Sequence, residues 1–172
     1  MKKIITASAM SLLLLGASCS GKTTAPAEDE FDYTVDRFAD IEVLRYKVPG
    51  FEDLTLNQKL YIYYLNEAAL WGRDILWDQH NKYNLEIRRM LEDVYTSYSG
   101  DRESADFKAF EQYLKQVWFA NGIHHHYSTD KFRPGFSREF LAAEIEKLPL
   151  PQRPADADTI FELIFNLSLI HI

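Results

Sequence analysis

The feature that most constrains the fold is a series of helix-type patterns that fills the chain from Thr55 to Phe165. The first pattern begins at Thr55-x-x-Gln58, the spacing of a capping box, and is predicted to run to about Gly72. Later segments repeat apolar residues at helical intervals, and serine, aspartate, glycine and proline mark their ends. These helices are predicted at residues 74–80, 87–98, 107–118, 137–148 and 158–164.

Residues 41–48 form the one segment with a strand pattern. Apolar residues alternate with charged ones there, and Pro49-Gly50 closes the segment with a turn. A lone strand needs a partner, and the remaining sequence offers no second strand of similar quality. The predicted fold class is therefore mainly α with one or a few strands (α+β). The unpaired strand is a first indication that chain is missing.

The N-terminus is typical of a bacterial export signal. Met1-Lys2-Lys3 precedes an apolar run over residues 4–15, which is too short to span a hydrocarbon core of about 30 Å. The only cysteine, Cys19, follows small residues as in a lipoprotein signal. We predict a lipoprotein-type signal peptide at 1–19, lipidation of Cys19 and a flexible tether at 20–37. The protein would then be exported and anchored by lipid at the cell envelope, on the periplasmic side or at the outer membrane. The alternative is a soluble exported protein with an incidental cysteine.

Composition and missing motifs exclude several classes of function. With 47% apolar and 26% charged residues, the chain is typical of a packed globular protein. Its net charge of −7, without basic runs, argues against nucleic-acid partners. The sequence contains no Gly-rich phosphate loop and no Gly-x-Ser-x-Gly elbow.

His124-His125-His126 is the one cluster that has the composition of a metal or catalytic site. A metal site needs three or four converging ligands, and adjacent histidines on one loop rarely converge. The loop could instead line a ligand cleft, because residues 118–127 are rich in amphipathic side chains. A structural loop is the third alternative and the one that the residues favour. The aromatic run at 61–71 could stack on sugars or peptides, but its helical spacing favours core packing.

Four strings together resemble the N-terminal part of Bacteroides-type dipeptidyl peptidase III enzymes. They are Arg-Tyr-Lys-Val-Pro-Gly-Phe at 45–51, Tyr-Leu-Asn-Glu-Ala-Ala-Leu-Trp-Gly-Arg-Asp-Ile at 64–75, Trp-Phe-Ala-Asn-Gly-Ile-His-His-His-Tyr at 118–127 and Asp-Lys-Phe-Arg-Pro at 130–134. The likeness extends over about residues 38–165. It implies a two-lobed zinc exopeptidase that removes dipeptides from the N-termini of short peptides. One lobe is helical and carries a His-Glu-x-x-Gly-His zinc motif, and the other contains a small β-barrel.

This chain departs from the family at the zinc motif, because none of its five histidines is followed by glutamate. Family members are also several times longer. We therefore expect no catalytic and no metal residues in this fragment, zinc only in the full-length parent, and an inactive fragment. The resemblance leaves these candidate substrate-cleft residues: Asn121, His124, His125, His126, Tyr127 and Lys131.

The expected organisation is a partial N-terminal lobe at 38–166 followed by a tail at 167–172. The tail sequence Leu-Ser-Leu-Ile-His-Ile is the in-frame translation of a common sequencing adapter, so we interpret it as foreign to the gene. A partial lobe should expose apolar surface where the rest of the lobe packs. The alternative function is a non-enzymatic helical lipoprotein that binds glycans or peptides at the cell envelope.

Overall fold

The computed structural model describes residues 31–167. The predicted signal peptide, Cys19 and most of the predicted tether lie outside the described residues, as does the tail after Leu167. All of the elements described below belong to one structural unit, which begins at Tyr33.

The described residues form a two-stranded antiparallel sheet and six α-helices, so the predicted mainly α fold class is confirmed. The strands are β1 (Thr34–Phe38) and β2 (Ile41–Leu44). The helices are α1 (Leu56–Trp71), α2 (Arg73–His80), α3 (Asn84–Ser97), α4 (Ala105–Ala120), α5 (Arg138–Lys147) and α6 (Ala157–Phe165). A short 3-10 helix, Leu150–Gln152, lies between α5 and α6.

The β-hairpin corrects the prediction of an unpaired strand. β2 covers half of the segment predicted at 41–48, and it pairs with β1, which begins inside the predicted tether at 20–37 and ends at Phe38. Ala39, at φ 49°, and Asp40 turn the chain between the strands. The strand register ends at the pair Thr34 and Leu44, and one further backbone bond, from Arg45 N to Tyr33 O at 2.8 Å, joins the two chain segments. Ordered structure therefore begins before residue 38, where the sequence placed the boundary.

The helix N-termini follow the predicted capping chemistry. Thr55 and Gln58 form the capping box of α1, with each side chain bonded to the other residue's backbone N–H. Ser104 and Ser137 accept the N–H three residues on at the starts of α4 and α5. Asp156 does the same at α6. These bonds satisfy donors that the helix cannot pair internally, which is why short polar residues locate the helix starts in the sequence.

The core lies between α3, α4, α5 and α6, with one large side chain, Trp77, contributed by α2. The helices bury the apolar faces that their spacing predicts. The best buried large side chains are Trp77, Ile87, Met90, Leu91, Phe107, Phe110, Tyr113, Leu114, Ile123, Leu141, Leu148 and Ile160.

Helix α1 does not take part in this core. None of its 16 residues is buried, although its sequence is rich in leucine, isoleucine and tyrosine. Tyr61 is 66% exposed and Trp71 is 87% exposed. The prediction that the aromatic run at 61–71 packs in the core is therefore wrong for the described part of the chain. The helical pattern correctly marks apolar surface, and α2 is the described element that α1 chiefly contacts. None of the helices within residues 31–167 has the length and apolar content that crossing a bilayer requires.

Candidate functional site

The histidine loop joins α4 to α5 and is closed on itself by backbone hydrogen bonds. His124 pairs with Lys131 in an antiparallel bridge, and Phe132 N donates to Ile123 O at 2.9 Å. Farther out, His125 N donates to Asp130 O at 2.7 Å. Ile123 and Phe132 are both buried at the base of the loop. The loop is thus a short hairpin with an apolar anchor on each side.

A buried asparagine positions the start of the loop. Asn84 is 1% exposed, and its Nδ2 donates to Asn121 O at 3.5 Å while its Oδ1 accepts from Ile123 N at 3.4 Å. Asn121 ends α4 in the left-handed conformation, at φ 54°. Asn84 was not among the site residues predicted from the sequence. A polar residue at an apolar position of the α3 pattern was the feature of the sequence that could have indicated its role.

Four ring-bearing side chains gather at the tip of the loop, and we call Phe119, His125, His126 and Tyr127 the loop aromatic cluster. The imidazoles of His125 and His126 stack with ring centroids 4.4 Å apart. His126 contacts Tyr127 at 4.2 Å and meets Phe119 edge-on at 5.0 Å. Tyr127 is 87% exposed. The cluster therefore offers solvent-facing rings on which a ligand could pack.

The hydrogen bonding of His125 limits what its imidazole can do. Tyr127 N donates to His125 Nδ1 at 3.2 Å, so that nitrogen is an acceptor and the neutral ring carries its proton on Nε2. Among residues 31–167, no three or more histidine, cysteine, aspartate or glutamate side chains are grouped so that they could hold a metal ion. The cluster as it stands can stack and exchange hydrogen bonds with a ligand.

Lys131 lies at the other end of the loop and is bound to the end of α6. Its Nζ donates to Leu163 O at 3.1 Å and to Asn166 O at 3.0 Å. A cation at carbonyls that the helix leaves unpaired is favourable, although partial burial lowers the pKa of the lysine.

The structure thus brings together His125, His126 and Tyr127 of the predicted cleft residues. Lys131 bonds to the backbone of α6, and the backbone carbonyl of Asn121 bonds to Asn84.

A second group of polar side chains lies where α2, α3 and α4 meet. Arg88 donates to Asp74 Oδ1 at 2.8 Å and to Glu92 Oε1 at 3.0 Å, and Trp118 Nε1 donates to the same Glu92 oxygen at 2.8 Å. Arg89 binds the other oxygen of Asp74 at 3.1 Å. The Arg88 guanidinium, with help from Arg89, holds the pKa of Asp74 below its usual value.

This network borders a cavity of about 450 Å³, in the size range of ligand pockets. Its lining residues are Leu70, Arg73, Asp74, Trp77, Arg88, Glu92 and Trp118. The cavity was not predicted from the sequence, because a charged helix face such as that of α3 is typical of solvated surface. The i,i+4 spacing of Arg88 and Glu92 was the signal present, but it does not reveal the facing tryptophans.

The chain matches no protein-family model, and a comparison with curated proteins finds no relative.

Proposed function

We propose that this chain is part of the N-terminal lobe of an exported zinc dipeptidyl peptidase of the dipeptidyl peptidase III family. The intact parent would release dipeptides from the N-termini of short peptides, and this fragment would be inactive. Support comes from the four strings within residues 45–134 that resemble the family. The structural observation that carries the proposal is the unpacked helix α1.

An α-helix that is apolar on all sides belongs in the interior of a larger body. Lys59 and Glu67 are the charged residues of α1, and they are its only half-buried residues, while its large apolar side chains stand in solvent. Eleven large apolar side chains of α1 and α2 are exposed. Large exposed apolar surface is rare on soluble monomers and marks a place where another surface packs. Such a surface is stable when further chain covers it.

The resemblance and the exposed surface coincide in the sequence. The string at 64–75 covers the second half of α1 and the start of α2, the same stretch that leaves Tyr64, Leu70 and Trp71 exposed. This segment resembles the family but does not pack within the described fold. We expect such a segment where the rest of the lobe would contact this chain. The proposal accounts for both facts with one cause.

The residues of this chain do not fit the zinc ion that the family requires. No suitable ligand group occurs among residues 31–167, and no histidine of the sequence begins a His-Glu-x-x-Gly-His motif. In the parent, zinc held by other residues would polarise the scissile carbonyl and activate water. The part left to this chain is binding, with the loop aromatic cluster as a wall of the cleft.

The proposal is tested on the genomic DNA that continues the reading frame. We expect it to encode a His-Glu-x-x-Gly-His motif some hundreds of residues downstream. The complete protein should release a dipeptide arylamide, lose this activity with a chelator and regain it with zinc. Replacing the motif glutamate by glutamine is the matched control, since it removes the general base and leaves the zinc ligands in place.

Two outcomes would overturn the proposal. One is zinc-dependent activity of the purified 172-residue chain itself. The other is a stop codon in the genomic DNA directly after the codon for Phe165, with no zinc motif in the gene. A soluble monomeric product in the second case would favour the non-enzymatic envelope lipoprotein instead.

A further inference from the structure

The tip of the histidine loop is held by a side-chain hydrogen bond whose acceptor can be protonated. Tyr127 N donates to His125 Nδ1 at 3.2 Å. An imidazole nitrogen accepts a hydrogen bond only while it carries no proton, and the imidazolium ion carries an N–H on both nitrogens. Protonation of His125 therefore breaks this bond, because it places two N–H groups against each other.

The stack of His125 on His126 responds to charge in the same direction. The two rings are 4.4 Å apart and 30° from parallel, and two imidazolium ions at this distance repel each other. A charge on His126 alone is tolerated better, because the rings of Tyr127 at 4.2 Å and Phe119 at 5.0 Å lie within the range of cation–π contacts. His125 is thus the side chain whose protonation costs contacts.

The charged groups of the loop offer the protonated rings no substitute partner. The titratable and charged groups around the two imidazoles are His124, Tyr127, Asp130 and Lys131. The Asp130 carboxylate accepts from Ser128 Oγ at 3.2 Å, and Lys131 Nζ is bound to the end of α6. Within residues 31–167, no carboxylate forms an ion pair with either imidazole.

The elements packed against the imidazoles present rings to them. Phe119 comes from α4, and Phe132, at the base of the loop, lies 6.1 Å from His125. The charged residue one turn before Phe119 on α4 is Lys115, which is paired with Asp36 at 2.8 Å. The surroundings of the stack therefore suit the neutral imidazoles.

We propose that His125 is a pH sensor that opens the tip of the histidine loop in acidic solution. Histidine is the side chain whose charge ordinarily changes between about pH 5 and 8. At neutral pH the loop aromatic cluster is assembled as described. In acid, His125 releases Tyr127 N–H and separates from His126, while the buried base of the loop stays closed. The inference does not depend on the proposed peptidase function, because every contact lies within the described fold.

The test is amide hydrogen exchange of the ¹⁵N-labelled 172-residue chain, followed by NMR from about pH 7.5 to about pH 5. The exchange rate of the Tyr127 amide is compared with that of an unstructured chain at the same pH. This protection should fall about fivefold or more, in step with the titration of the His125 ring protons. The Phe132 amide, which donates to Ile123 O, is the internal reference and should keep its protection. Constant protection of Tyr127, or an equal loss at Phe132, would overturn the proposal.

Two substitutions identify the sensor. His125→Asn places an acceptor oxygen near the position of Nδ1 but does not titrate, so Tyr127 should stay protected at both ends of the pH range. His126→Gln should keep the pH dependence, because the acceptor on His125 is unchanged. Both side chains lie outside the core, so the fold should persist, and circular dichroism checks it. A pH dependence that survives in His125→Asn, or disappears in His126→Gln, would contradict the assignment to His125.

Discussion

The side-chain amide of Asn84 occupies the space that a Cβ on Gly122 would need. A Cβ at Gly122 would overlap Asn84 Nδ2 and lie 2.8 Å from Asn84 Cγ. The same amide bonds the backbone on both sides of Gly122, at Asn121 O and Ile123 N. Glycine at position 122 is therefore what allows a helix α3 residue to hold the start of the histidine loop.

Gly122→Ala should destabilise the protein by about 1–3 kcal/mol, because the added methyl must displace a buried and hydrogen-bonded amide. Urea denaturation measures the change in the free energy of unfolding. Gly72→Ala is the control, since a Cβ there makes an ordinary contact at 3.5 Å and the backbone is helical, at φ −79°. Equal effects of the two substitutions would contradict the clash. Combining Gly122→Ala with Asn84→Ala should cost less than the sum of the single changes.

Tyr113→Phe should leave stability unchanged or raise it by about 1 kcal/mol. The Tyr113 hydroxyl is buried without a hydrogen-bond partner in the described range, and burial raises the pKa of the phenol well above its usual value. Removing it relieves the cost of an unpaired polar group. Tyr95→Phe is the matched control, because the Tyr95 hydroxyl donates to Glu111 Oε1 at 3.3 Å and its loss should cost about 0.5–1.5 kcal/mol. A clear loss of stability in Tyr113→Phe would show a partner for that hydroxyl.

Lys131→Met should destabilise the protein by about 1 kcal/mol, because it removes the cation from the carbonyls that end α6. Chemical denaturation gives the difference from the parent chain. Lys108→Met removes an equal charge from a largely exposed pair with Glu103 and should leave stability nearly unchanged. If both variants behave alike, the contact between Lys131 and α6 contributes nothing measurable.

The contact between the hairpin and α4 should weaken at acidic pH. Lys115 Nζ binds Asp36 Oδ2 at 2.8 Å, and this hydrogen bond lowers the pKa of Asp36 below its usual value of 3.8. A carboxyl with a lowered pKa stabilises the folded state above the unfolded pKa, and that contribution is lost as pH falls through the folded pKa. Amide hydrogen exchange of β1 and β2 should therefore accelerate below about pH 4 relative to the α3–α4 core. Lys115→Gln should remove most of this pH dependence, and an unchanged pH profile would contradict the role of the pair.

The chain should self-associate through the exposed apolar surface of α1. Replacing Tyr61 and Trp71 by glutamine should reduce this association without loss of stability. Both side chains are mostly exposed and belong to the apolar surface of α1. Size-exclusion chromatography with light scattering follows the association, and thermal denaturation follows the fold. Trp77→Gln, one helix further along, should instead prevent folding, because Trp77 is in the core. Unchanged association of the double variant would show that the chain does not associate through α1.

Local structure was predictable wherever a short-range bond creates it. Thr55, Ser104 and Ser137 each cap a helix by bonding an N–H three residues away, so the pattern and its cause lie in the same few residues. The hairpin was only half predicted, because β1 is short and follows a polar segment. The stacking of His125 on His126 could not be predicted, since adjacent residues on a loop take their ring orientation from the hairpin that closes around them.

The sequence by itself determined the class of this fold and the positions of its helices, because capping and apolar periodicity act within a turn or two of chain. The tertiary structure alone decided which apolar faces are covered. Ile87 and Phe110 are fully buried in a shared core, while Tyr61 and Trp71, equally apolar in pattern, face solvent. Periodicity records that a face can be buried, but burial requires a second surface. The same reason applies to Arg88. The sequence shows that it is a charged residue on a helix, but only the tertiary structure makes it part of a cavity lining, because Trp77 and Trp118 come from other helices.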